Sequence, residues 1–173
     1  MPNPSIRSRG FTLIEILCVV VILAIAAVLV IPQISSRGDL KAAAAARTVM
    51  ADIAYAQNRA IAKQATQYVK FDVASHTYSV QEGTTPATGT NPITLKPYTQ
   101  TFGSTALDDV TLTSASFDSK DTIAFDEIGA PYSYDSVAGT AALATGQIKI
   151  ASDGYTMTLT VQPYTGEITI STP

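Results

Sequence analysis

Residues 10–31 of this chain read GFTLIEILCVVVILAIAAVLVI, and Glu15 is the only charged side chain in that stretch. As an α-helix the apolar run from Phe11 to Ile31 would measure about 31 Å, enough to cross the hydrocarbon core of a membrane. A carboxylate inside such a helix costs about 2.5–3.5 kcal/mol on insertion scales. Glu15 is therefore a functional candidate that needs a positively charged partner.

A cut before Phe11 would supply that partner. It would create a new α-ammonium group close to Glu15 in sequence, and the same group would be present on every neighbouring copy of the chain. The sequence therefore indicates self-assembly, in which the carboxylate of one subunit meets the amino terminus of another.

This segment closely resembles the processing site of type IV prepilins and pseudopilins. The resemblance covers residues 1–32 and rests on a short hydrophilic leader ending in Gly10, followed by Phe-Thr-Leu-Ile-Glu and a hydrophobic helix. It implies cleavage between Gly10 and Phe11 by the prepilin peptidase on the cytoplasmic face, and then N-methylation of Phe11. It also implies that Glu15 contacts a neighbour's amino terminus in a helical filament, and that Pro32 is the family's helix-bending proline.

The charges around the run predict its orientation. Arg7 and Arg9 precede it, which favours a cytoplasmic N-terminus and export of the rest of the chain. We expect a single-pass protein of the inner membrane, with a periplasmic C-terminal domain, that lies in a filament after assembly. The alternative is an ordinary secretory signal peptide cleaved at the small-x-small site of residues 24–26. The charge of Glu15 and the apolar residues beyond that site count against this alternative.

Composition excludes several classes of function. The chain of 173 residues has 11 Lys and Arg against 14 Asp and Glu, and removal of the leader would leave nine basic side chains. An acidic body argues against nucleic-acid binding, which needs basic residues to displace counterions, and the last 23 residues hold no Lys or Arg. Cys18 is the only cysteine, so no intrachain disulfide is available.

The sequence contains no recognisable catalytic motif. His76 is the only histidine and is expected as an exposed turn residue, and one histidine without cysteines cannot build a usual zinc site. Acidic clusters in predicted loops match no calcium-loop spacing. We therefore expect no catalytic residues, no metal site and no cofactor, and we predict that the chain is not an enzyme.

Beyond the apolar run the helix pattern continues to about residue 64. Two alternatives are open: the helix runs on through a soft segment around Gly38, or it stops and restarts with Asp39 as the N-cap. The polar face that recurs at helical spacing includes Lys41, Asp52 and Arg59. The opposite stripe consists of small and apolar residues, namely Ala43, Ala46, Met50, Ile53, Ala60 and Ile61.

From residue 66 the hydrophobic period changes from helical to two. The pattern predicts strands at 66–73, 77–81, 93–96, 98–102, 109–114, 121–126, 147–151, 155–161 and 167–170, with loops at 82–92 and 133–144. This order predicts an α+β fold, in which a long N-terminal helix with a transmembrane first half packs on a C-terminal antiparallel β-sandwich or sheet domain. The expected domains are a leader (1–10), a transmembrane and assembly helix (11–31), its continuation on the globular domain (32–64) and a β-rich domain (65–173).

The layout is similar to the H-type minor pseudopilin of type II secretion and the T-type minor pilin of type IV pili. The features that carry this likeness are segment 55–61, the hairpin 66–81, the turn 125–131 and the terminal hairpin that ends at 165–170. The likeness implies three partners: prepilin peptidase, other pseudopilins or pilins, and the inner-membrane assembly platform. A minor pilin of pilus assembly or DNA uptake and a membrane-tethered extracytoplasmic binding domain remain as alternatives.

Overall fold

The computed structural model describes residues 11–35, 37–104 and 107–172, and the side chains of residues 28–36 lie outside that description. Within these ranges two helices precede eleven strands. The helices are α1 (Leu13–Ser35) and α2 (Gly38–Lys63). The strands are β1 (Gln67–Asp72), β2 (Thr77–Glu82), β3 (Ala87–Thr88), β4 (Thr99–Thr101), β5 (Val110–Phe117), β6 (Thr122–Phe125), β7 (Pro131–Asp135), β8 (Gly139–Ala142), β9 (Gly146–Ser152), β10 (Tyr155–Val161) and β11 (Ile168–Ser171).

The chain divides into two compact units between Arg37 and Gly38. The first unit contains α1, and the second contains α2 and the strands. Of the two alternatives that the sequence left open, the structure has the stop and restart, although Asp39 lies within the first turn of α2 instead of preceding it as the N-cap. A Cβ on Gly38 would come within 2.6 Å of the Ser152 carbonyl oxygen, so glycine is required where α2 begins.

The transmembrane part of the expected fold class is not supported. Among the residues that the structure describes, no helix combines the length and the apolar character that crossing a membrane requires.

The strands of the second unit form two antiparallel sheets. The larger has the order β3-β2-β1-β6-β7-β8, with β4 also paired to β2, and the smaller has the order β11-β10-β9-β5. An N-terminal helix followed by antiparallel sheets confirms the α+β class. Phe71 of β1 and Phe117 of β5 pack with ring centroids 5.6 Å apart, so the two sheets share one core.

Turn chemistry located two of the hairpins correctly. In the turn between β1 and β2, the Asp72 carboxylate accepts hydrogen bonds from the backbone N–H groups of Ala74 and Ser75, at 3.0 and 3.2 Å. Between β9 and β10, Asp153 and Gly154 have φ values of 47° and 83°, as a two-residue Asp-Gly hairpin turn requires. These short turns fix the register of both hairpins.

Three expectations about strands and loops were wrong, and the first is that residues 82–92 form a loop, since they contain β3. Residues 93–96 form no strand, because the Asn91 side chain accepts hydrogen bonds from the backbone N–H groups of Ile93 and Thr94 and closes a turn. Residues 133–144, expected as a loop, contain most of β7 and all of β8. Strand β8 is fully exposed at the edge of the sheet, so its small residues show no alternation of apolar and polar side chains.

Helix α2 packs against both sheets through small side chains. Its buried face consists of Gly38, Ala42, Ala45, Ala46, Val49, Ile53, Ala56 and Ala60. The predicted stripe was therefore rotated by about one residue, since Val49 is buried where Met50 was expected, and Met50 and Ile61 are exposed. Several residues of the predicted polar face lie at its edges, where they bind partners on the sheets.

Gln57 of α2 joins two distant turns of the sheet domain. Its Nε2 donates hydrogen bonds to the carbonyl oxygens of Gly129, at 2.8 Å, and Thr165, at 2.9 Å. Gly129 and Gly166 both have positive φ, and a Cβ on either would come within 2.8 Å of an α2 side chain. Three of the four features that carried the second resemblance, segments 55–61, 125–131 and 165–170, thus meet at Gln57.

Replacing Gln57 with alanine should lower the free energy of unfolding by about 1–2 kcal/mol, because two carbonyl groups lose their shared donor. Urea denaturation should show an earlier midpoint with an unchanged slope. Asn58→Ala is the matched control, since the Asn58 amide donates only to Ala54 O of its own helix and should change stability by less than about 0.5 kcal/mol. Equal effects of the two variants would show that Gln57 does not hold the turns.

Candidate functional site

Side chains of the segment Phe-Thr-Leu-Ile-Glu stabilise the start of helix α1. The Glu15 N–H lies 3.3 Å from Thr12 Oγ1 and 3.1 Å from Thr12 O, and the Ile16 N–H donates to Thr12 O at 3.2 Å. Thr-x-x-Glu at a helix start is the pattern of a capping box. The carboxylate of Glu15 in the first turn also lies at the positive end of the helix dipole. The motif therefore has a local structural role, which the sequence analysis missed although Thr12 and Glu15 have the diagnostic spacing.

Helix α1 presents an unbroken apolar surface. Every described side chain from residue 11 to residue 27 is exposed, with Phe11 at 77% and Leu13 at 83%. One side of the helix, formed by Leu13, Ile16, Leu17, Val20 and Val21, makes a shallow apolar groove. Exposed apolar surfaces of this extent mark contacts with other proteins or with lipid.

The predicted site residues are resolved to different degrees. Phe11 and Thr12 precede α1, and Glu15 is exposed in its first turn without an ion-pair partner in the described part of the chain. Pro32 lies within α1, but its side chain is outside the description. Gly10 lies outside the described residues. The structure thus places an exposed phenylalanine and an exposed carboxylate at the start of one apolar helix.

The acidic clusters of the sheet domain hold turns and make ion pairs. Lys41 Nζ lies 3.2 Å from an Asp108 carboxylate oxygen and 2.8 Å from one of Asp109. The Asp118 carboxylate accepts hydrogen bonds from the backbone N–H groups of Ala144 and Thr145, at 2.9 and 2.8 Å. Within the described ranges, no group of three or more His, Cys, Asp and Glu is placed to hold a metal ion.

His76, expected as an exposed turn residue, is half-buried. It lies in the turn after β1 with φ 51°, and its Nδ1 is 3.1 Å from Leu112 O of β5. The imidazole is therefore a contact between the hairpin and the second sheet. That the chain is not an enzyme stays a prediction.

Asp52 is the most buried of the ionisable groups on α2 that bind the sheet domain. It accepts hydrogen bonds from Tyr78 Oη at 2.6 Å and from Tyr98 Oη at 3.0 Å. Burial raises the pKa of Asp52, and the two hydroxyl donors oppose that shift. Because each carboxylate oxygen accepts a hydrogen bond from a tyrosine of the sheet domain, we interpret the cluster as a tie between α2 and the sheet.

Glu82 forms a second tie at the C-terminal end of α2. Its Oε2 lies 2.9 Å from both Lys63 Nζ and Arg59 Nη2, and Arg59 Nη1 donates to Tyr55 Oη at 3.0 Å. Hydrogen bonds from Lys63 and Arg59 lower the pKa of Glu82 below its usual value. The helix thus contacts β2 through charge where its apolar face ends.

Comparison with known proteins identifies the N-terminal segment. Residues 6–31 match the family model described as the prokaryotic N-terminal methylation motif. The match supports a type IV prepilin-like protein, a class that prepilin peptidase processes and that assembles with other pilins. It suggests that the protein is anchored in a membrane or incorporated into a filament. No curated protein and no solved structure matches the chain significantly.

Glu82→Gln should weaken the protein at neutral pH and make its stability less sensitive to acid. Because the folded pKa of Glu82 is lowered, its contribution is present above the unfolded pKa, near 4.5, and is lost as the pH falls below that value. We expect a deficit of about 0.5–1 kcal/mol at pH 7 that shrinks toward zero near pH 2. Urea denaturation across this pH range measures it.

The control for that experiment is Glu127→Gln, at an exposed glutamate that forms no ion pair among the described residues. Its stability should follow the wild-type pH profile. A constant deficit of Glu82→Gln from pH 7 to pH 2 would contradict an ionic role for Glu82.

Proposed function

We propose that the chain is a minor pseudopilin-type structural subunit of a type II secretion filament or a related filament. Prepilin peptidase removes residues 1–10, and the subunit then assembles through α1. The observation that carries the proposal is the methylation motif at residues 6–31, which coincides with a capped helix whose described side chains are all exposed. An apolar helix of this kind reaches a stable environment in lipid or against other copies of itself.

Before assembly we place the subunit in the inner membrane as a single-pass protein with a cytoplasmic N-terminus. Arg7 and Arg9 ahead of an uncharged run support this orientation. The second unit has its own core of α2 and two sheets, which suits a periplasmic domain without disulfides. The assembly platform of the inner membrane is the proposed partner for extraction into the filament.

Glu15 is proposed to select the register of incoming subunits. In lipid its unpaired carboxylate is costly. Opposite the amino terminus of a neighbouring Phe11 it forms an ion pair. Such a pair adds little net stability, but a wrong register leaves a buried unpaired charge that costs about 3–5 kcal/mol. The proposed role of the ion pair is therefore to select one register of assembly, and not to add stability to the filament.

The acidic composition supports secretion over DNA uptake. DNA binding requires clustered Lys and Arg, whereas the last 23 residues contain none and include Asp153 and Glu167. The lysines at 41, 63 and 120 each lie within 3.0 Å of a carboxylate. Part of the positive charge of the chain is therefore already paired with carboxylates.

The mature protein isolated from its native membrane should begin at Phe11 and carry one methyl group on its amino nitrogen. Intact-mass and N-terminal peptide mass spectrometry measure both features. Gly10→Val should block the cut, because the resemblance implies a peptidase site that requires glycine, whereas Ser8→Ala in the same leader should be processed normally. A mature chain that begins at Met1 or at Ala27 would refute the proposal.

Glu15→Ala should leave cleavage intact and reduce incorporation into filaments at least about tenfold, because the amino terminus of a neighbour loses its counter-charge. Quantitative immunoblotting of sheared filaments against total mature subunit measures the ratio. Glu15→Gln is the matched variant, since it keeps a side chain that can complete the capping box but removes the charge.

The two Glu15 variants separate the ion pair from the helix cap. Equal loss of incorporation in both supports the ion pair. Recovery in Glu15→Gln would assign the role to the cap, and normal incorporation of both would remove Glu15 from the mechanism.

A further inference from the structure

A polar groove of about 800 Å³ lies on the face of the larger sheet that points away from the core. Its floor contains Lys70, Thr122 and Tyr134, which are paired side by side across β1, β6 and β7. Val69 and Phe71, the neighbours of Lys70, lie in the core, so alternation along β1 directs Lys70 to the opposite face. The turn that contains Pro86 forms one wall of the groove. Its volume falls in the range of small-ligand sites.

The charges within the groove are already balanced. Lys120 Nζ lies 2.7 Å from Asp135 Oδ2, and Lys70 Nζ lies 3.8 Å from Asp121 Oδ2. Two lysines and two aspartates therefore cancel in pairs. A site with no surplus charge gives no electrostatic preference for an anion or a cation.

The remaining groups of the lining are hydroxyls, an amide and one aromatic ring. Gln81 Nε2 donates to Ser79 Oγ at 3.1 Å, which fixes the orientation of the amide. The Tyr134 ring packs edge-on against Tyr68, with centroids 4.8 Å apart, and is itself half-exposed. In the part of the chain that the structure describes, Tyr134 Oη has no hydrogen-bond partner. The groove thus offers uncharged donors and acceptors beside an aromatic surface.

The walls of the groove are held by contacts within the protein. The Asp135 Oδ1 atom accepts hydrogen bonds from the backbone N–H groups of Val137 and Ala138, at 2.8 and 3.1 Å. Thr122 Oγ1 donates to Asp121 Oδ1 at 2.7 Å. A wall fixed in this way loses little conformational entropy when a ligand binds.

From these features we propose that the groove binds a neutral carbohydrate of two or three sugar units. Sugar hydroxyls match the uncharged donors and acceptors of the lining, and the apolar face of a pyranose ring matches the Tyr134 ring. The paired lysines and aspartates can bond further hydroxyls without attracting ions. All lining residues of this site belong to the second unit.

The test is an NMR titration of the full-length, ¹⁵N-labelled protein in a detergent without a sugar headgroup. The probes are maltotriose and cellotriose, which represent plain glucans, and triacetylchitotriose, which represents N-acetylated envelope glycans. At least one should shift the amide signals of residues 70, 81, 122 and 134 saturably, with a Kd of about 0.1–5 mM. The preferred probe distinguishes the two sources of sugar.

Inorganic phosphate serves as the ionic probe and should leave those signals unchanged. Shifts with phosphate but with none of the saccharides would overturn the proposal in favour of an anion site. The absence of saturable shifts with every saccharide up to about 20 mM would also overturn it.

Matched variants locate the binding. Gln81→Ala should weaken binding at least fivefold, whereas Gln147→Ala, at an exposed position of β9, should not change it. Tyr134→Ala should act similarly, with Tyr164→Ala on an exposed turn as its control.

Because Tyr134 also packs on Tyr68, Thr85→Trp is the variant that spares the sheet. It fills the groove from the exposed wall and should abolish binding while the core amide signals stay in place. Unchanged affinity in both Gln81→Ala and Thr85→Trp, or an equal loss in the control variants, would refute this site.

Discussion

The close packing of α2 on two sheets is the constraint on which the globular unit depends. The helix faces the core with alanines at positions 42, 45, 46, 56 and 60, all fully buried. Larger side chains there would overpack the core. This approach also allows Gln57 to reach the turn carbonyls, and it leaves room only for glycine where α2 starts. The same closeness lets Asp52 and Arg59 bind the sheet domain from the edges of the helix.

The two units of the chain use apolar residues in opposite ways. The second unit buries its apolar side chains in one core shared by α2 and both sheets, and holds the periphery with ion pairs and turn hydrogen bonds. In α1 every described apolar side chain is exposed. The second unit therefore has a hydrophobic core of its own, made of residues from α2 and the two sheets. This division suits a subunit that changes surroundings during assembly.

Sequence patterns predicted the fold class and several hairpins because local chemistry determines them. The Asp153-Gly154 turn and the alternation of β9 and β10 are examples. The sequence patterns gave wrong predictions where tertiary contacts determine the secondary structure. Strand β8 exists because β7 pairs with it, not because its residues favour strands.

At the candidate site the sequence singled out Phe11 and Glu15, whereas the polar groove required the structure. The cap at Thr12 could have been predicted from the Thr-x-x-Glu spacing of Thr12 and Glu15. The polar groove could not be predicted from the sequence, because Lys70, Gln81 and Tyr134 are distant in sequence and adjacent only through strand order. The pattern along a helix likewise locates its buried face only to within one residue until the elements packed against it are known. This is why the sequence predicted a buried Met50, where the structure buries Val49.

The position of Gln57 couples two parts of the molecule that are far apart in sequence. A single amide nitrogen donates to both the turn at 126–130 and the turn at 163–166. Displacement of either carbonyl alters the orientation that the other requires, so the free energies of ordering the two turns are not independent. Displacing the turn that carries the exposed Ile128 should therefore change the order of the turn that carries the exposed Tyr164.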